Sequence, residues 1–596
     1  MSENIYSFIK EEETKFKLPI EVISGWNWNF YEHCRQAILY KNSQFTENND
    51  YKKSAEGRTP FKNVIRFILN THYRTEGFNV SDIEIFIDNA EKYFKSFLLR
   101  KYHERWALEN QIDTFIDKLV ESYVDYGLAL VKNVKGAKPE VVELSTLAFC
   151  NQKDILSRPF GIKHYFSPDE LLEMADSGWG DSNKGATISL EDLIVLTENE
   201  SKKHGGDIEI YEVHGVMPEK WINDKKQESK KYVRQVQICA YYKNQEDESV
   251  GITLFKSNAP KKLFKALKRD EVPNRAAGFG GVEELTDAQI WTNYAKVRQK
   301  DFLDSASKTL LKTTDSGLVN RHPTGFKNLD NLEVIQVADG KDVSQIDTFP
   351  RNYQVFNASV QEWEDHARTI GFANEPLLGE PAPSGTPFRA QERQVIEGKG
   401  IHEYRKEKIA RFVEEIYRKW IMPHLKREVA NGAKFLSELS SEELESVADN
   451  VSIRVSNQEF INQVLEGKLP SKEELTLLRE QTKADFLRQG NKRFMEILKD
   501  EFADDDFEPR VDVAGKVRDL GVFVDKLSGV FRTIFSNPIL LQDPRAVKLL
   551  NTILENSGFS PIKFDFSSAL ALHQQQTAPP LPSPAPQIPQ NVPLTA

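Results

Sequence analysis

The chain has 596 residues, 39% of them hydrophobic and 28% charged, with a formal net charge of −11; that length leaves room for roughly three to five domains. No apolar run approaches the ~18 residues needed to cross a bilayer, and the charged start MSENIYSFIKEEETKFKLPI lacks the apolar core of a signal peptide, so folding in the cytosol is expected. Three scattered cysteines, Cys34, Cys150 and Cys239, exclude a cysteine-rich zinc site and read as buried or idle thiols, while the acidic balance excludes a broad basic grip on DNA.

Residues 1 to about 125 read as helical, with apolar residues three and four apart in NVIRFILNTHYR (63–74) and in IEIFIDNAEKYFKSFLLRKYHERW (83–106). The period then changes. DYGLALVKNVKG (125–136) and KPEVVELSTLAFC (138–150) alternate around a Lys-Gly-Ala-Lys turn and predict a hairpin. SPDELLEMA (167–175) predicts a capped helix start, with Ser167 at the N-cap, Pro168 at the first helical position and Glu170 two further on. Strands are expected at 207–217, 232–244 and 250–257.

GFGG (278–281) breaks the pattern, and one long helix is expected over 282–314, its apolar stripe marked by Trp291, Ala295, Phe302, Ala306 and Leu310. Thirty-odd helical residues span roughly 45 Å. A short polar module follows, with a strand at LEVIQV (332–337), then a second helix at about 357–370 with Asn357 and Ser359 as cap candidates. The segment NEPLLGEPAPSGTPFRAQ (374–391), with four prolines and two glycines, forbids regular structure. A long amphipathic helix is expected from about Ile401 to Met422, ended by Pro423. Residues 435–572 read as mostly helical with one strand-like VSIRVS (451–456), and the proline-rich stretch from His573 as disordered or polyproline-like.

The catalytic signals are poor. The glycine cluster 278–281 lacks the Gly-Lys-Ser/Thr ending of a phosphate loop, and Gly467-Lys468 runs into Leu469-Pro470, so both read as hinges or turns. Asp504, Asp505 and Asp506, with Asp512 nearby, cannot all face one ion from a regular element and read as a solvated loop. His366 beside Asp365 and His402 beside Glu403 form no helical metal pair. No nucleophile arrangement is present. No enzyme activity, cofactor or metal is expected.

The order of these elements resembles the portal proteins of tailed bacteriophages. Four stretches carry the likeness: YGLALVKNVKGAKPEVVELSTLAFC (126–150), GFGGVEELTDAQIWTNYAKVRQKDFLDSASKTLL (278–311), ARTIGFANEPLLGE (367–380) and IARFVEEIYRKWIMPHL (409–425). Together they cover roughly 120 to 430. The family's Gly-Val-Pro-Pro run is absent; Gly371-Phe372-Ala373-Asn374-Glu375 stands before Pro376 instead.

The resemblance implies an α+β portal fold. It would comprise a strand-rich wing whose N-terminal portion is residues 1–283, a stem helix (284–314), a small α/β clip (315–350), a second stem helix (351–373), a tunnel loop (374–391), a long wing helix (392–430), a mostly helical crown (431–572) and a disordered tail (573–596). It implies a homo-oligomeric ring, usually a dodecamer, at one vertex of the virion, assembled in the host cytoplasm without a membrane. Double-stranded DNA would pass through it without sequence specificity. A terminase packaging motor, the major capsid and scaffolding proteins and a head–tail adaptor would be its partners. Ser384, Gly385, Thr386, Arg389 and Arg393 would then face the channel, and the stripe from Trp291 to Leu310 would pack the stem. Two other readings are a different virion connector or tail-tube component, and a nucleic-acid-processing enzyme; the latter needs a phosphate loop or carboxylate cluster.

Overall fold

The computed structural model describes residues 4–46, 59–86, 93–134, 136, 138–202, 205–222, 230–244, 248–260, 263–307, 310–318, 337–346, 353–373, 388–431, 433–438, 441–465, 471–488, 492–497 and 510–513. They combine helices with antiparallel sheets, as the α+β class requires. They fall into two units, one drawn from 1–88, 99–431 and 499–516, the other from 89–98 and 432–498.

The first unit opens with α1 (Ile5–Phe16), the short hairpin β1 (Ile20–Ile23) and β2 (Trp26–Trp28), and α2 (Phe30–Lys41). Asn4 and Asn29 cap α1 and α2 by accepting from Ser7 and Glu32 backbone N–H groups, each at 2.9 Å. At the start of α3 (Ile65–Glu76), Asn63 Oδ1 accepts from the Arg66 N–H at 2.8 Å. The N–H groups of Val64 and Ile65 go to Gln289 Oε1, at 2.8 and 3.3 Å, so a residue more than two hundred positions away shares in closing this end.

β3 (Ile83–Phe86), α4 (Tyr93–Glu109) and α5 (Ile112–Tyr126) follow. α5 buries Ile112, Phe115, Ile116, Leu119, Val120, Tyr123 and Val124, a three-and-four spacing that covers more than one face. Gly127 ends it at φ +69°, a left-handed position.

Next come β4 (Leu128–Asn133), β5 (Pro139–Val142), β6 (Leu147–Phe149), β7 (Phe160–Phe166), α6 (Pro168–Glu173), α7 (Leu190–Ser201), β8 (Ile208–Pro218), β9 (Tyr232–Lys243), β10 (Ser249–Asn258) and β11 (Phe264–Lys268). The predicted hairpin is β4–β5, with Leu130 opposite Val142. β11 pairs with the other edge of β4, giving the order β11-β4-β5. A five-stranded antiparallel sheet runs β10-β9-β8-β7-β6. One face sends Ile208, Ile210, Ile238, Ala240, Ile252 and Leu254 against Leu171 of α6 and Leu190 and Leu193 of α7. The other face takes α1: the Tyr6 and Thr253 hydroxyls lie 2.8 Å apart, and Lys163 meets Glu13 at 2.8 Å. The capping box at Ser167 and Glu170 is present as expected.

α8 (Gly281–Ala306), the ladder of β12 (Leu311–Thr313) with β13 (Val343–Gln345), and α9 (Tyr353–Ile370) complete one pair of helices around a small module. α10 (Phe388–Ile416), one π turn (Tyr417–Ile421) and α11 (Met422–Ala430) follow. The second unit holds a ladder of β14 (Ala433–Glu438) with β15 (Lys492–Ile497), and the helix pair α12 (Ser441–Leu465) and α13 (Lys472–Arg488). β16 (Arg510–Val513) belongs to the first unit, antiparallel to β3.

Several expectations are corrected. The stretch 83–106 is not one helix, because Ile83 to Phe86 is extended and paired with β16. VSIRVS is helical: Leu444, Ala448, Ser452 and Ser456, each four apart, are buried, and Arg479 Nε of α13 donates to Ser456 Oγ at 2.7 Å. The helix expected over 282–314 stops at Ala306, and Leu310 lies beyond it; the Leu310 carbonyl accepts from Ile346 N–H at 2.8 Å, which extends the β12–β13 ladder. Pro423 does not end the helix before it. The π turn widens the backbone just where a proline ring would strike the carbonyl four residues back, and Pro423 falls in the first turn of α11, where its missing N–H is harmless. The helix expected from its pattern at about 357–370 begins at Tyr353, so Asn357 and Ser359 lie inside it and do not cap it. The strand expected at 332–337 lies almost wholly outside the described residues, as do Asp504 to Asp506 and everything from 514 on, whereas Asp512 stands in β16.

Leu119 is fully buried in the helix that the first unit packs around. Leu119→Ala is expected to cost about 2–5 kcal/mol, seen as a lower midpoint in urea unfolding followed by tryptophan fluorescence; an unchanged midpoint would place α5 outside the cooperative core.

Candidate functional site: a buried charge junction and an aromatic helix pair

The turn between β11 and α8 is held by two arginines whose side chains are fully buried, Arg269 and Arg275. Arg275 reaches both oxygens of Glu283, donates to the carbonyls of Ala277 (3.1 Å) and Gly278 (2.8 Å), and lies 4.6 Å from the centre of the Trp28 ring. Gly278–Gly281 is therefore a close-packed corner. A Cβ on Gly280 would stand 2.5 Å from the Asp125 carbonyl oxygen, and Gly280 is the N-cap of α8.

Arg269 turns the other way, toward Glu76 at the end of α3. Glu76 Oε1 accepts from Arg269 Nη2 at 3.2 Å and from His402 Nδ1 at 3.0 Å, with Arg405 Nη1 at 3.9 Å. Glu284 of α8 faces both arginines at 3.7 Å, and Arg405 also donates to Asp270 at 2.8 Å. His72 Nδ1 accepts from Arg269 Nη2 at 3.0 Å, while His72 Nε2 donates to the Gly371 carbonyl at 2.6 Å. The junction thus joins α3, the 269–281 turn, α8, the end of α9 and α10.

Burial alone would raise the Glu76 pKa, but Arg269, followed by His402, His72 and Arg405, holds it down to about 2. Burial, reinforced by Arg269, pushes His72 down to about 3. Glu76 is thus a fixed anion and His72 a fixed neutral ring near pH 7, which suits a structural joint better than acid–base work.

α8 changes character along its length. Val282, Leu285, Ala288, Gln289, Thr292, Asn293, Ala295, Val297 and Gln299 are buried, whereas Trp291 is 42% and Phe302 38% exposed. α9 runs antiparallel to it. Trp291 stacks on Trp363 with ring centres 6.1 Å apart, and Phe302 meets Phe356 at 5.2 Å. Of the five stripe residues, Ala295 is buried, Ala306 is half-buried at the helix end, Trp291 and Phe302 form rungs to α9, and Leu310 sits past the helix, exposed. Ser384, Gly385 and Thr386 lie outside the described residues. Arg389 and Arg393 stand in the first two turns of α10, which begins at Phe388, and not in a loop.

The junction escaped sequence reading because its members are dispersed: Glu76 meets Arg269 across 193 residues and His402 across 326. Among the described residues no group of three or more His, Cys, Asp or Glu could hold a metal, and no helix is long and apolar enough to cross a membrane. The three cysteines are buried and free.

No family model and no curated protein matches this chain. Among solved structures, a chain in the neck of an empty GTA particle, computed with C6 symmetry, is similar to it at 10% identity, covering 72% of this chain and 96% of that one, with a TM-score of 0.25. A TM-score that low does not establish a shared fold.

The titration of His72 has a definite sign. Its folded pKa of about 3 lies below the ordinary histidine value of 6.5, so the unfolded chain binds the extra proton between those values. Its contribution is present in full above pH 6.5 and is lost as pH falls toward 3, with a limiting slope of about 1.4 kcal/mol per pH unit. The melting temperature is expected to fall on acidification from pH 6.5 to 4, and less steeply in His72→Asn; equal slopes in the two proteins would show that His72 titrates alike folded and unfolded.

Proposed function

We propose that the chain is the subunit of a closed ring in a bacteriophage particle, a portal, whose channel passes double-stranded DNA. Its work is mechanical and organisational: it catalyses nothing, needs no cofactor, and docks the packaging motor, the capsid and scaffolding proteins and the head–tail adaptor. The observation that carries this reading is the α8–α9 pair flanking a small β module. Its inner half is embedded, and around its outer half Phe302, Leu303, Leu310, Leu311, Ile346 and Val355 are exposed. Apolar surface of that kind marks an interaction face, and a ring of heterologous contacts can cover it. The order of elements along 120–430 supports the same reading.

Mass photometry of the purified chain is expected to show a closed assembly of about twelve copies. Leu303→Asp combined with Val355→Asp should shift the population to smaller species without lowering the melting temperature of the first unit, since both side chains are exposed. A monomer at micromolar concentration in several salts would overturn the proposal; tubes in negative stain would favour a tail component.

The formal charge of −11 per subunit gives a ring of about twelve roughly −130. DNA is repelled by a lumen of like sign and stays centred, so attraction has to come from a few basic bands. Arg389 and Arg393 are the candidates. Binding to duplex DNA should be weak, independent of sequence and steeply weakened by salt. Arg389→Glu with Arg393→Glu should leave ring assembly intact and reduce retention of packaged DNA; tight binding of one sequence at physiological salt would refute a channel role.

A further inference from the structure

The C-terminal end of α9 closes in a Schellman motif. Ala373 N–H donates to the Arg368 carbonyl at 2.9 Å, and Phe372 N–H to the Thr369 carbonyl at 3.2 Å. The residue forced into the left-handed region is Phe372, at φ +51°. Glycine usually takes that position because a Cβ crowds the following carbonyl. Here glycine stands one residue earlier. A Cβ on Gly371 would lie 2.6 Å from Ile68 Cγ2 of α3, so close approach of the two helices claims the glycine and leaves Phe372 to make the turn.

The buried junction grips this unfavourable turn from several sides. The Gly371 carbonyl accepts from His72 Nε2 at 2.6 Å, and the Phe372 carbonyl oxygen lies 3.3 Å from His402 Nε2. His402 is anchored in turn by Glu76 at 3.0 Å, and His72 by Arg269 at 3.0 Å. The Arg405 guanidinium lies 5.7 Å from the centre of the Phe372 ring. Both carbonyls that the cap turns outward are thus held by imidazoles whose other nitrogens belong to the charge cluster.

We propose that the end of α9 is a strained latch. The Glu76-centred cluster holds Phe372 in the left-handed conformation, and loosening the cluster lets Phe372 return to an ordinary backbone region, which redirects the chain where it leaves α9. His72 and His402 are the positioning residues, and Phe372 is the strained element. The latch depends on α3, α9 and α10 within one subunit, and so holds whether or not the chain forms a ring.

Hydrogen exchange by mass spectrometry on the full chain tests this, following peptides that contain the amides of Phe372 and Ala373. In His402→Ala their exchange should rise tenfold or more while α5 peptides keep their protection. In Phe372→Gly it should fall below the wild-type rate, because glycine holds the cap without strain. In the double variant it should stay near the rate of Phe372→Gly alone, since no strain is left for His402 to restrain. Should His402→Ala fail to fold, the single glycine variant decides: slower exchange than wild type supports the latch, and equal or faster exchange overturns it. An equal rise on His402→Ala with and without Phe372→Gly also overturns it, since His402 would then act through packing alone.

Discussion

A carboxylate with no solvent exposure is the constraint around which the first unit is arranged. Glu76 ends α3 in the interior, where an unpaired charge costs several kcal/mol even after relaxation. Its ionised form survives because Arg269, His402 and Arg405 converge on it from elements that follow it by some two to three hundred residues. Each of these must be in place for the others to be tolerated. The 269–281 turn cannot move without stranding Arg269, α10 cannot slide without withdrawing His402 and Arg405, and α8 starts where Glu284 can face both guanidinium groups.

The same logic sets the glycines. Once Arg269 and Arg275 occupy the interior of the turn, the backbone at 278–281 has to run against Asp125, Tyr126 and Gly127 with no room for a side chain. A glycine cluster that in sequence reads as a hinge or turn is here a fixed corner, the consequence of two buried arginines. The start of α8 is thereby fixed, and with it the line along which Trp291 and Phe302 meet Trp363 and Phe356.

What could be read in the sequence was local. The capping box at Ser167, the β4–β5 hairpin, the long alternating strands and the α8–α9 pair are written in spacing and turn chemistry within a few dozen residues. What could not be read depends on distant partners. Ile83 to Phe86 has a short apolar run that fits either element, and its pairing with 510–513 decides for strand. VSIRVS alternates like a strand, but Ser452 and Ser456 are the buried positions, chosen by α13. Leu310 continues the helical stripe by period, yet the β12–β13 ladder takes its carbonyl. Glu76, Arg269, His402 and Arg405 look like ordinary charged residues until folding brings them together, and no periodicity marks a charge as buried.

Stability alone does not account for a joint of this kind, because well-packed apolar side chains of similar volume commonly stabilise as much as a buried ion pair or more. Apolar helix seams differ from charged ones in what they permit. α3, α8 and α10 carry repeating aliphatic residues, and two such surfaces can shift by a turn, about 5.4 Å, while still burying similar area. A shift of that size at the junction would carry His402 and Arg405 away from Glu76 and leave charges unpaired in the interior. The ion cluster therefore penalises wrong registers far more than it rewards the right one. For a helix pair that presents aromatic rungs at a set height, register is the quantity that has to be fixed, and a buried carboxylate with two distant arginines fixes it to within one turn.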